Sequence, residues 1–138
     1  MKKFIIVFLA LLVLYSNSYA EIQWYKTTSM AIKFKEYNSY NRTYYWGEWS
    51  DWEKCVVDVM FDTSNDIIVI YSKETQVYKI LYTDTEPYDS KGKQISFRVV
   101  DQDKDYGHLR LRVDSSGNSQ IYVDFNDVMW VYNVYRVK

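Results

Sequence analysis

Apolar residues recur at every second position through most of this chain, and that spacing commits it to strands. Ile95, Phe97 and Val99 alternate with Gln94, Ser96 and Arg98, and Leu109, Leu111 and Val113 alternate with His108, Arg110 and Arg112. Ile121, Val123 and Phe125 do the same around Tyr122 and Asp124. Successive side chains of a strand point to opposite faces, so each set gives one apolar face and one wet face. After the first twenty residues no segment keeps a 3.6-residue apolar period over the length of about ten residues that a helix needs. Composition agrees: 19% of residues are aromatic, with fifteen tyrosines and five tryptophans, and such residues suit a pleated, half-buried surface.

The remaining segments read the same way. Met30, Ile32 and Phe34 alternate with Ala31, Lys33 and Lys35; Val57, Val59 and Phe61 alternate with Asp58 and Met60. Ile67 to Tyr71 is apolar on both parities, as in a strand covered on two sides. Gln76, Tyr78, Ile80 and Tyr82 form one face of the next strand, and the last runs from Val128 to Val137. Turn-forming residues separate these runs at 62–65, at Lys73 and Glu74, at 114–119, and at Asn126 and Asp127. Two stretches read as longer connections: the polar segment Glu36 to Thr43, and Thr83 to Gly92, which holds three acids and the only proline. The expectation is an all-β, single antiparallel meander of about eight strands, since antiparallel neighbours accept tight turns. An up-and-down β-barrel of lipocalin or streptavidin shape is favoured over a β-sandwich, because consecutive short turns leave little room for crossings.

Residues 1–20 have a different character. Lys2 and Lys3 precede an apolar run from Phe4 to Tyr15, and small residues follow at Ser18 and Ala20. This is the pattern of a secretory signal peptide cleaved after Ala20, and the run is too short for a membrane span, which needs about 20 residues. The expectation is a secreted or periplasmic protein with no stable membrane insertion after cleavage. Its single all-β domain is expected over 21–138. Loss of Lys2 and Lys3 leaves 15 basic against 18 acidic residues, a balance that argues against nucleic acid as a partner. Cys55 is the only cysteine, so stability is expected from packing without an intrachain disulfide.

Several residue groups carry possible chemistry. Trp46, Trp49, Trp52 and Cys55 stand at three-residue intervals, and Trp46 to Trp52 resembles the tryptophan strand of thrombospondin type 1 repeats over about ten residues. That resemblance implies tryptophans layered with arginines from a neighbouring strand, a part open here to Arg110 and Arg112. The chain departs from the family in lacking its disulfides and in having many apolar strands. In a strand, Trp46 and Trp52 share one face and Trp49 the other, so at least one is expected in the core. The functional alternative is a stacking platform for sugar rings or a flat apolar ligand, built from Tyr44, Tyr45, Trp46, Trp49 and Trp52.

Asp101, Asp103 and Asp105 imitate the opening of a calcium loop, but Tyr106 and Arg112 occupy the positions that need a glycine and a bidentate acid. A solvated hairpin turn is the ordinary reading, with weak calcium binding the alternative. His108 is the only histidine, which excludes multi-histidine metal sites. Glu48, Asp51 and Glu53 beside the tryptophans leave room for a carboxylate-based, glycan-directed hydrolase. Asn41-Arg42-Thr43 is an N-glycosylation sequon. The leading expectation is a non-enzymatic module that needs no cofactor and binds a small molecule, a glycan or a protein. A small secreted hydrolase and an envelope or surface structural protein are the alternatives.

Overall fold

The computed structural model describes residues 22–89, 92–116 and 118–137. The leader assigned to residues 1–20 lies outside them. Among the described residues ten strands follow one another: β1 (Gln23–Asn38), β2 (Thr43–Trp46), β3 (Glu53–Lys54), β4 (Asp58–Asp62), β5 (Ile67–Ile70), β6 (Gln76–Asp89), β7 (Gly92–Val100), β8 (Tyr106–Asp114), β9 (Ser119–Asp124) and β10 (Val128–Arg136). Every pairing is antiparallel, and eight strands close a barrel in the order β1, β4, β5, β6, β7, β8, β9, β10, with β10 returning to β1 from Tyr25↔Arg136 to Phe34↔Val128. The up-and-down meander expected from the alternation is thus the observed architecture. β2 and β3 pair only with β1, outside the ring.

The inward faces are those the alternation marks. Val59, Ile68, Ile70, Val99, Leu109, Ile121 and Val123 are fully enclosed, and Phe61 and Phe97 meet across the interior with ring centroids 5.7 Å apart. An eight-stranded barrel is just wide enough for side chains to fill, and these fill it. Val69, on the other parity of β5, is buried too, which accounts for the unbroken apolar run there.

Bulges mark where simple alternation stops. Thr28 is an extra residue in β1, so Thr27 and Met30 both face inward while Ser29 pairs with Asn133 on the outside. Thr27 is buried, and its hydroxyl donates to the Cys55 carbonyl and accepts from the Val57 N–H at 2.8 Å. A second irregularity at Leu81 turns Tyr82 outward, where it is exposed, and so ends the inward face expected to continue from Ile80.

The two expected long connections are strands instead. β1 continues to Asn38 and turns tightly into β2, with Arg42 in the left-handed region at φ 56°. β6 and β7 stay paired through Thr83↔Phe97 to Asp89↔Gly92. β5 reaches only to the Ile67↔Lys79 pair, and the Asp66 carbonyl accepts from the Ile80 N–H at 2.7 Å. Beyond that point β6 pairs, among the described residues, with β7 alone, and a free edge is where acids and a proline are tolerated.

Turns are closed by carboxylates. Asp62 accepts from the Asn65 and Ser64 side chains, which hold its carboxyl below the usual range. Asp114 accepts from Ser116 and Asn118, with the same effect.

Candidate functional site

The residues singled out between Tyr44 and Trp52 lie on a lobe outside the barrel, and none of the three tryptophans enters the core. Trp49 is 39% exposed and Trp52 50%; Trp130, partly buried, packs against the core instead. Only Trp46 belongs to a strand. From Gly47 to Trp52 the chain forms a strap along β1: the Gly47 N–H donates to the Phe34 carbonyl (2.8 Å), the Ser50 N–H donates to the Ile32 carbonyl (2.8 Å), and the Ile32 N–H donates to Ser50 Oγ (2.9 Å). A Cβ on Gly47 would lie 3.2 Å from the Phe34 carbonyl oxygen, so glycine suits this close approach.

Because directly paired residues share a face, the β1–β2 hairpin sorts its aromatics into two sets. Tyr37 with Tyr44 and Lys35 with Trp46 make one face; Glu36 with Tyr45 makes the other. The Tyr37 and Tyr44 rings stand 5.0 Å apart. Tyr45 hydrogen-bonds Glu36, and that bond and its charge push the phenol above its ordinary pKa.

The first face runs on down the barrel wall as a ladder of rings and cations. Lys35 Nζ lies 5.5 Å from the Trp46 ring, and Lys33 Nζ sits 5.6 Å from Trp46 and 4.4 Å from Trp49. Trp49 meets Tyr122 edge to face at 6.2 Å, and the Arg112 and Arg110 guanidiniums lie 4.4 and 4.9 Å from the Tyr122 ring. Each exposed contact of this kind contributes about 0.5–1 kcal/mol, so the ladder fixes the strap cumulatively. The arginines implied by the thrombospondin-like string do meet an aromatic, but it is Tyr122, and lysine takes the place between the tryptophans.

A polar network supports the wall beneath. Tyr122 donates to Gln120 (3.0 Å), Gln120 to Asn133 (3.0 Å), and Asn133 to Ser29 (2.9 Å), while Arg110 pairs with Asp124 at 2.9 Å. Ala31 and Val131 are paired on the outward side and both are 2% exposed.

Tyr44, Trp46 and Trp49 therefore share one face, Tyr45 lies on the reverse of the hairpin, and Trp52 stands on the strap. Sequence reading missed Phe34, Tyr37, Tyr40 and Tyr122. The signal was period-two alternation across both hairpin strands, hidden while Glu36 to Thr43 read as a loop. Seven of the fifteen exposed large apolar and aromatic side chains of the described residues fall between Phe34 and Trp52.

The other candidates sit elsewhere. Asp101 Oδ1 accepts from the N–H groups of Asp103 and Asp105, both at 2.9 Å, and so closes the β7–β8 turn. Among the described residues no group of three or more His, Cys, Asp or Glu side chains is arranged to hold a metal ion. His108 stands on the outer wall, its Nδ1 3.5 Å from Arg98. Glu48 and Asp51 are exposed on the strap and Glu53 is exposed in β3, and Asn41 caps its own turn by accepting from Thr43. Cys55 is a free, half-buried thiol against the core. No helix of the described residues is long and apolar enough to cross a membrane. The chain matches no protein-family model, no curated protein and no solved structure.

Proposed function

We propose that this protein is a secreted or periplasmic, non-enzymatic binding module that meets its ligand on the outside of the barrel, with sugar rings the ligand class its surface suits. One observation carries the reading: Tyr37, Tyr40, Tyr44, Tyr45, Trp49 and Trp52 stand exposed on one lobe, while the interior is filled by side chains such as Phe61 and Phe97. Sugars offer C–H faces that stack on such rings and hydroxyls that bond their polar edges. A hydrolase needs two acids converging at a cleft, and the acids beside the tryptophans are exposed on the strap and on β3.

The test is affinity electrophoresis of the processed protein through gels containing neutral and acidic polysaccharides. Retardation by at least one polysaccharide is expected, and it should disappear in Tyr44→Ala and Trp52→Ala, two exposed positions whose loss leaves the barrel folded. Retardation that persists in both variants refutes the assignment to this face. A second reading, a protein partner, is favoured by the Tyr-, Asn- and Ser-rich tip from Tyr37 to Tyr44, a mixture that suits rigid contact with adaptable hydrogen bonding. It predicts no retardation by any polysaccharide and loss of partner capture in the same variants.

A further inference from the structure

Away from the aromatic lobe, one end of the barrel carries two adjoining clefts of about 450 Å³ each, which share Tyr78, Asp101 and Trp130. Three rings run along them: Tyr78 and Trp130 border both clefts, and Phe125 borders the second. Phe125 stacks on Trp130 with centroids 6.0 Å apart and planes 13° from parallel, and Tyr78 leans on Phe125 at 6.2 Å. Tyr78 is held from behind: its hydroxyl donates to Gln76, and the Gln76 amide donates to Ser72 Oγ at 2.9 Å and to the Tyr132 hydroxyl at 3.4 Å. Tyr78 and Trp130 belong to β6 and β10, and Phe125 to the turn between β9 and β10.

The rim is mainly acidic. Glu74, Asp101 and Asp103 border the first cleft, and Asp101, Asp105 and Asp127 the second, against the single cation Lys73. Among the described residues none of these five acids takes part in an ion pair. Negative groups around a concave apolar wall concentrate cations there, and ring faces attract them further.

We infer that this end of the barrel is a second binding site, distinct from the aromatic lobe, for an organic cation that lays an alkylammonium or guanidinium group against Phe125 and Trp130, with the buried Tyr78 behind them, under the carboxylate rim. Shape and charge both enter. The rings supply a dry face for the alkyl part of the ligand, which an inorganic cation does not use, and the rim rejects phosphate and carboxylate ligands. The cation can come from a free small molecule or from a side chain of a partner protein.

Titration followed by two-dimensional amide NMR tests this on the processed protein, with the Trp130 indole N–H assigned by its loss in Trp130→Phe. Choline stands for a free cation and N-acetylarginine amide for a side chain; 3,3-dimethylbutanol is the uncharged match to choline. Saturating shifts are expected at Trp130 and in the 101–105 turn with at least one of the cations, and which one answers identifies the source. Glu74→Gln and Asp127→Asn, both at exposed positions, should each weaken that binding about threefold. Tyr44→Ala and Trp52→Ala should leave it unchanged. The inference is overturned if neither cation saturates by about 100 mM, if dimethylbutanol binds as well as choline, or if both carboxamide variants bind like the parent.

Discussion

Replacing Thr27 by valine is a nearly isosteric change that asks whether a single hydroxyl holds the strap's far anchor to the barrel. Thr27 is 1% exposed, so the new methyl meets no water and the side-chain volume is unchanged. What is lost is the bond from the Val57 N–H and the bond to the Cys55 carbonyl, both at partly buried groups. Each such bond contributes about 1 kcal/mol net, and leaving its partner unsatisfied raises the cost, so about 2–3 kcal/mol is expected. For a domain of this size that lowers the melting temperature by about 10 °C. Thr27→Ser keeps the hydroxyl and loses one methyl, at about 1 kcal/mol. Urea denaturation followed by circular dichroism gives both values. Hydrophobicity and strand propensity alone rank valine above serine at this site; the hydrogen bonds rank serine above valine. A valine variant as stable as the serine variant refutes the reasoning.

Gly107→Ala should cost about 1–3 kcal/mol, because a Cβ there would fall 2.5 Å from the Asp124 carbonyl oxygen and 2.9 Å from the Phe125 ring; an unchanged denaturation midpoint would count against it. Burial raises the hydroxyls of Tyr25, Tyr78 and Tyr132 above the usual 10.0. The unfolded chain therefore gives up those protons first, and stability that is complete below pH 10 should fall as pH rises beyond it. A pH series of urea midpoints checks this, with a flat alkaline limb as the contrary result. The melting temperature should be the same in calcium and in chelator, since the turn's own N–H groups occupy Asp101 Oδ1. A rise with calcium would restore the loop as a cation site.

Strands β7, β8 and β9 were readable from alternation because both their edges are paired and their inward parity never slips. β6 was readable only to Ile80. The Leu81 irregularity moves Tyr82 to the other face, and the free edge beyond it tolerates a composition that looks like a connection. The aromatic lobe was half legible. Tyr44, Tyr45, Trp46, Trp49 and Trp52 are where the composition drew attention, yet the three tryptophans were read as one strand, while only Trp46 lies in a strand and Trp49 and Trp52 ride on the strap. Nothing local distinguishes the two cases. The strap rests on β1 and, through Trp49 and Tyr122, on β9, a partner more than seventy residues later. Ala31 gave the one hint, a small apolar residue on the parity otherwise held by lysines.

The seam between β1 and β10 has a consequence for the order of events when the chain folds. It joins Tyr25 to Arg136 and Phe34 to Val128, so the ring stays open until the last strand has been made. A chain that stops short of β10 leaves β1 and β9 each with an unsatisfied flank, ready to take up a neighbouring molecule's strand. Zipping of distant ends is slow for simple reasons of loop entropy. Closure of the ring therefore waits on both ends of the meander, β1 and β10.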